Sequence, residues 1–175
     1  MATTELLIIS DTHGKSDLVE KAVRLTRPHL TLFCGDGLRD LAFLPSLGPL
    51  YAVRGNCDFW NLTDLGDVEE TMTLTPDGFK ILLTHGHRFG VKSGLGALIA
   101  KAVREEADAV LFGHTHEPLE WTLLPEQGKQ RFGLRLTKPL HIFNPGSLGY
   151  EPHSFGRLTL KNGVPLFSHG QLTLP

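Results

Sequence analysis

Five short segments carry the side chains suited to chemistry: Asp11-Thr12-His13, Gly35-Asp36, Gly55-Asn56-Cys57-Asp58, His85-Gly86-His87 and Gly113-His114-Thr115-His116. Carboxylate, carboxamide and imidazole are donors to divalent metals. Hard oxygen mixed with borderline nitrogen favours manganese, iron, zinc, cobalt or nickel over calcium, and the lack of clustered thiolates argues against a structural zinc site. In Asp11-Thr12-His13 and in His114-Thr115-His116 the outer side chains alternate, so both can leave an extended segment on the same side and face one centre. Taken singly, each segment is also ordinary turn chemistry, since Asp after a strand often caps a helix and Gly-Asn often makes a turn. Their recurrence after apolar runs points to a shared site.

Strand ends must position these groups. Residues 6–9 form an unbroken apolar run, the pattern of a strand buried on both faces, and it stops at Ser10-Asp11. Residues 16–26 place Leu18, Val19, Ala22, Val23 and Leu25 at helical spacing, with Ser16 or Asp17 as the N-cap and Pro28 beyond the end. Strands over 30–34 and 50–53 run into Gly35-Asp36-Gly37 and Arg54-Gly55-Asn56. A strand over 69–74 and a turn at Pro76-Asp77-Gly78 precede a strand over 79–83, which ends in Thr84-His85. A helix over 95–107 precedes a strand over 109–112 that delivers Gly113-His114. One sheet edge can gather all five loops although they are far apart in sequence.

Beyond residue 118 the pattern changes to strands without helices, over 119–124, 132–136, 140–143, 156–160 and 164–168. Turns at 125–128 and Asn162-Gly163 predict mostly antiparallel pairing there. The whole reads as two sheets packed face to face, with helices outside at least one. A hairpin within 118–139 bearing Gln127, Lys129, Gln130 and Arg131 is expected to project as a lid or as a contact between copies, which leaves a homo-oligomer open.

The 175 residues, 41% apolar, suit one domain over 1–175 with a continuous core. A net charge of -2 with no long run of Lys and Arg weighs against a nucleic-acid polymer as partner. No stretch approaches membrane-spanning length and the apolar run at 6–9 is too short for a signal-peptide core, so no membrane partner and a cytoplasmic location are expected. Cys34 and Cys57 are expected as thiols without a disulfide, and His29, His141, His153 and His169 are assigned no chemistry.

In order and spacing, the five segments resemble the motifs of the calcineurin-like metallophosphoesterases. Gly55-Asn56-Cys57-Asp58, His85-Gly86-His87-Arg88, Gly90-Val91-Lys92-Ser93-Gly94 and Asn144-Pro145-Gly146-Ser147 resemble more narrowly the small YfcE/YsnB-type phosphodiesterases, over nearly the whole chain. The resemblance implies an α/β (α+β) fold, a four-layer αββα sandwich with two mixed β-sheets flanked by helices. It implies two divalent metal ions, manganese first, with iron, zinc, nickel, cobalt or magnesium as alternatives. Asp11, His13 and His116 would hold one, Asn56, His85 and His114 the other, and Asp36 would bridge them. The implied activity is hydrolysis of a small phosphate ester, foremost a phosphodiester, by in-line attack of a hydroxide shared between the metals.

The chain departs from the wider family where a histidine thought to protonate the leaving group follows the asparagine, because Cys57 stands there. The catalytic candidates beside the ligands are therefore Asn56, Cys57, Asp58 and His87. A thiol can donate a proton, His87 can substitute, or the leaving group can depart with other assistance, while a plain packing role for Cys57 is the simplest. The acidic residue often found three positions after the bridging Asp is replaced by Arg39, with Asp40 next. Lys92 and Ser93, before the second helix, and Ser147, in a segment that borders the site in the resembled proteins, are candidate substrate contacts. Two other functions compete. A scaffold subunit of the retromer coat shares this architecture but lacks several ligands, and a nuclease would use a related site; the filled ligand set and the charge balance favour the small-substrate enzyme.

Overall fold

The computed structural model describes residues 3–42, 44, 47–59 and 67–173. Side-chain alternation along the first strand, β1 (Thr3–Ile9), decides the layering. Leu6 and Ile8 face a core shared with a second sheet, whereas Leu7 and Ile9 face the opposite way, onto Leu18, Val19, Ala22 and Val23 of helix α1 (Ser16–Thr26). Both faces of β1 are buried, as its unbroken apolar run predicts. Helix α1 is preceded by Lys15 rather than capped by Ser16 or Asp17, and it ends on the left-handed Arg27 just before Pro28.

Strands β2 (Leu30–Phe33) and β3 (Leu50–Ala52) lie parallel to β1 in sequence order. In the other sheet β4 (Thr71–Leu74) pairs antiparallel with β5 (Ile81–Thr84), and helix α2 (Gly96–Arg104) leads to β6 (Ala109–Leu111), parallel to β5. Ile81, Leu83, Ala109 and Leu111 point toward the first sheet, while Leu82 and Val110 point outward onto Leu98, Ile99 and Ala102 of α2.

The C-terminal third pairs mostly antiparallel, as expected, but it contains a helix that the strand pattern does not predict. β7 (Pro118–Leu123) is followed by helix α3 (Pro125–Phe132), so that β8 (Leu140–Pro145) returns parallel to β6 with β7 outside it. The predicted turn at 125–128, strand at 132–136 and projecting hairpin are therefore replaced by a helix and a loop. Pro125 occupies the first turn, where its missing N–H is not needed, and the Gln127 side chain accepts the Leu124 N–H. Gly128 is there for closeness: a Cβ would lie 2.4 Å from Leu136 Cδ1. The last strands, β9 (Ser154–Lys161) and β10 (Val164–Gln171), form the hairpin expected at Asn162-Gly163, whose positive φ values of 54° and 75° suit a two-residue turn. That hairpin joins the first sheet through β1.

The result is two mixed five-stranded sheets, ordered β10-β9-β1-β2-β3 and β4-β5-β6-β8-β7, with α1 outside the first and α2 and α3 outside the second. The loops that follow the parallel strands β1, β2, β3, β5, β6 and β8 carry the chemistry-bearing residues. Among the described residues no helix is long and apolar enough to cross a membrane, and Cys34 and Cys57 are both free.

Candidate metal centre

Five of the candidate ligands, Asp11, His13, Asp36, His114 and His116, have φ between 42° and 68°. Residues other than glycine rarely occupy this left-handed region, and such strain persists only where surroundings impose it. Here the backbone turns sharply as each strand ends, which aims two side chains of a three-residue segment inward.

Asp11, His13 and His116 form one group, with a potential donor atom from each within 4.8 Å of the others. Asp11 is fully buried. Its Oδ2 accepts the Ser10 hydroxyl at 2.5 Å and the His114 N–H at 3.0 Å, but its Oδ1 accepts no hydrogen bond. That bare oxygen faces His116 Nε2 at 3.1 Å, His13 Nε2 at 3.8 Å and His85 Nε2 at 4.0 Å. The Nε2 atoms of His13 and His116 approach each other to 3.4 Å. Burial acts to raise the Asp11 pKa, but His116, His13 and His85 outweigh it and hold the carboxyl well below the usual carboxylate range.

Asp36, His85 and His114 form the second group. His85 is fully buried and its Nδ1 lies 2.7 Å from the Cys34 carbonyl. A carbonyl can only accept, so Nδ1 carries a proton, and when the ring is neutral, as a metal ligand must be, Nε2 presents a lone pair. That lone pair meets two more acceptors, Asn56 Oδ1 at 3.2 Å and Asp36 Oδ2 at 3.3 Å. Acceptors converge this way around a cation. Burial pushes the His85 pKa down, yet Asp36 and Asp11 outweigh it and hold it above the ordinary histidine value. His114 is pushed down to about 4 by burial and then by the charges of His85 and Lys92. Both donor sets thus fit divalent ions, and their adjacency fits a dinuclear centre.

Other residues hold this geometry. The Asp58 carboxylate accepts four backbone N–H groups, from Asp36 at 2.8 Å, Gly37 at 2.9 Å, Leu38 at 3.0 Å and Gly55 at 2.9 Å. It ties the Asp36 loop to the Asn56 loop, which is a positioning task. Asp40 accepts the Thr12 hydroxyl at 2.5 Å and the Gly14 N–H at 2.8 Å, which brackets His13. The acid displaced by Arg39 is thus supplied one residue later. Ser147 is buried; its hydroxyl donates to the Asp11 carbonyl at 2.8 Å and accepts the Tyr150 N–H at 3.1 Å, so it holds the Asp11 loop. Asn144 donates to the Gly113 carbonyl and the Thr115 hydroxyl, both at 3.0 Å, and so steadies the His114 loop. The Asn-Pro-Gly-Ser segment was the sequence signal for these last two anchors.

Lys92 and Ser93 lie in a surface turn. Lys92 reaches His114 electrostatically, whereas the Ser93 N–H is spent on the Gly90 carbonyl. Cys57 is exposed, its N–H donates to Asp36 Oδ1 at 2.7 Å, and desolvation of its sulfur together with the Asp36 carboxylate pushes the thiol up to about 11. It is a weaker acid than an ordinary thiol. The buried Nδ1 of His87 has no hydrogen-bond partner, and its ring stands 5.4 Å from that of His85 and 6.1 Å from that of His114.

The closeness of the loops gives a direct test. A Cβ on Gly113 would lie 1.9 Å from Ser10 Oγ and 2.6 Å from Asp11 Oδ2, so Gly113→Ala must displace the Asp11 carboxylate. Manganese affinity measured by titration calorimetry is expected to fall at least about tenfold, as when a group orienting a ligand is lost. Unchanged affinity would mean that Asp11 is not held for a metal.

A two-sheet sandwich with two Asp/His groups at the ends of its parallel strands defines a metallophosphoesterase-like protein. Residues 5–163 match the calcineurin-like phosphoesterase superfamily domain, and the chain belongs to that family. It is 32% identical over 166 residues to "Probable metallophosphoesterase YsnB" of Bacillus subtilis (strain 168), covering 90% of this chain and 85% of that protein. A conserved uncharacterized protein from Streptococcus pneumoniae TIGR4, described as a predicted phosphoesterase, superposes with a TM-score of 0.75 at 24% identity, covering 98% of this chain and 91% of that one. Vacuolar Protein Sorting 29 from Cryptosporidium parvum does so with a TM-score of 0.68 at 17% identity, covering 98% and 99%. Both structures establish the likeness of fold. Family membership and the two donor groups support a metal-dependent phosphoesterase.

Proposed function

We propose that residues 1–175 form one cytoplasmic phosphodiesterase domain acting on a small phosphate ester. In this reading Asp11, His13 and His116 hold one divalent ion, Asn56, His85 and His114 a second, and the Asp36 carboxylate is shared, with manganese the leading candidate for both. The single observation that carries it is the convergence of potential ligand atoms, Asp11 Oδ1 against three imidazoles and His85 Nε2 against Asn56 Oδ1 and Asp36 Oδ2. Bound there, the ions would supply Lewis-acid polarisation of a phosphoryl group and acidify water for in-line attack.

The protein's own residues supply the frame. The Cys34 carbonyl fixes the His85 tautomer, Ser10 and the His114 N–H fix one oxygen of Asp11, and Asp58 holds the Asp36 loop. Cys57, pushed up to about 11, is a poor proton donor near neutral pH, which favours esters whose alcohol leaves readily, and the resemblance to the YfcE/YsnB-type phosphodiesterases supports a diester. A scaffold role would give no reason to keep strained histidines aimed at buried carboxylates.

The test is a screen of p-nitrophenyl phosphate, bis-p-nitrophenyl phosphate and cyclic nucleotides, with manganese-reconstituted and chelator-treated protein. Manganese-dependent turnover with the diester preferred is expected. Equal rates in chelator would sink the metal mechanism, and a preference for the monoester would sink the diester assignment.

A further inference from the structure

A cavity of about 360 Å³ opens beside the second ligand group, lined by Arg54, Asn56, Phe59, Glu70, His87 and Arg88 among others. Its wall shares Asn56 with the candidate centre, where Asn56 Oδ1 stands 3.2 Å from His85 Nε2.

Two guanidinium groups line this cavity, and one carboxylate holds both. Arg88 binds Glu70 through two N–H groups, Nε at 2.9 Å and Nη2 at 3.1 Å, while Arg54 gives a single longer bond from Nη2 at 3.3 Å. The side chains of Arg54 and Arg88 are 42% and 69% exposed, and their other N–H groups have no side-chain partner among the described residues. His87 Nε2 lies 3.9 Å from Glu70, and its Nδ1 is buried without a partner. The other acid in the wall, Asp58, has its carboxylate occupied by four backbone N–H groups. Arg54 and Arg88 against Glu70 and Asp58 leave the wall near neutral, but the two guanidinium groups have N–H donors to spare, and the Glu70 carboxylate already shows the geometry an anion would adopt.

We propose that Arg54, Arg88 and His87 form a subsite for a second anionic group, a phosphate foremost, on the substrate hydrolysed at the neighbouring centre, with Glu70 as the built-in carboxylate that holds the arginines until that group arrives. The substrate class is then a small ester carrying two phosphates, one attacked and one held. This rests on the phosphoesterase reading, but the subsite itself can be tested without turnover.

Chelator-treated protein is titrated with inorganic phosphate and followed by amide NMR. Saturable shifts at Arg54, His87 and Arg88 are expected. Arg54→Gln and Arg88→Gln should each weaken the apparent affinity about tenfold, as for loss of a charged hydrogen bond, and Glu70→Gln should tighten it several-fold by freeing both guanidinium groups. Circular dichroism checks that each variant folds. A clasp that merely pins the loops would give the opposite signature, with Glu70→Gln lowering stability and leaving phosphate binding unimproved. That result, or no phosphate binding by the unmutated protein, or equal binding by all the variants, overturns the subsite. In manganese-loaded protein, the preference in kcat/KM for a nucleoside 2′,3′-cyclic phosphate bearing a 5′-phosphate over the same cyclic diester without it should fall about tenfold in Arg54→Gln. If neither ester is turned over, the phosphoesterase reading fails, while the phosphate titration still decides the subsite.

Discussion

Asp36→Asn is expected to lower manganese-dependent kcat/KM by on the order of 10³-fold, since removing a group that only orients a ligand already costs about 10–100-fold. Asp36 is buried, with Oδ1 bound to the Cys57 N–H and Oδ2 3.3 Å from His85 Nε2. Asparagine has the same shape and can keep the Cys57 bond, so the change removes charge and little else. In chelator the variant should melt close to the unmutated protein, because the lost attraction to His85 is offset by no longer burying a carboxylate. With metal the two should diverge. An ion at 100 times its Kd stabilises by about 2.7 kcal/mol, which for a chain of this size is a rise of about 5–11 °C in Tm. That rise should shrink to a small fraction in Asp36→Asn. A variant that keeps both the thermal shift and the turnover would remove Asp36 from the centre.

The ligand candidates were legible because metal binding is written in residue type. Asp, Asn and His at the ends of apolar runs are visible one at a time, and the parallel sheets need only bring those ends together. The roles of the supporting residues were not legible, because a carboxylate that binds metal and one that binds backbone N–H groups look alike in a sequence. In the sequence Asp58, two residues after Asn56, suits catalysis, Ser147 suits a substrate contact, and Asp40 has only its place next to Arg39. Their tasks depend on loops 20 to 136 residues away in sequence. Helix α3 was hidden for a different reason. Pro125 and Gly128 are turn formers by propensity, but here one starts a helix and the other admits Leu136. Missing that helix put a strand over 132–136 where none exists, although β8 still pairs antiparallel with β7 and adds a parallel pairing with β6.

These supports explain how the left-handed φ values at Asp11, His13, Asp36, His114 and His116 persist. Each such residue carries strain of about 1–3 kcal/mol, so isolated loops of this sequence would relax. Ser147 holds the Asp11 carbonyl, Asp40 brackets His13, Asn144 steadies the Gly113 to Thr115 segment and Asp58 gathers the Asp36 turn. The anchors share the load unequally, and Asp58 carries the most hydrogen bonds.

Asp58→Ala is therefore expected to have the largest effect on the protein before any metal is added. It strips the acceptor from four backbone N–H groups in two loops. Leaving a buried donor unpaired costs about 1–3 kcal/mol, and water can reach part of this half-buried position, so a total of about 3–4 kcal/mol is expected. In chelator-treated protein this should lower Tm by about 6–16 °C, and manganese affinity should fall about 10–100-fold as the Asp36 and Asn56 loops lose their common anchor. Asp58→Asn should be nearly as damaging, because its amide nitrogen would turn a donor toward two of the same N–H groups. Thermal melting in chelator separates this account from a catalytic one. A proton-transfer residue could be lost with Tm unchanged and turnover abolished, and that outcome would return Asp58 to the chemistry and leave the Asp36 loop without its main support.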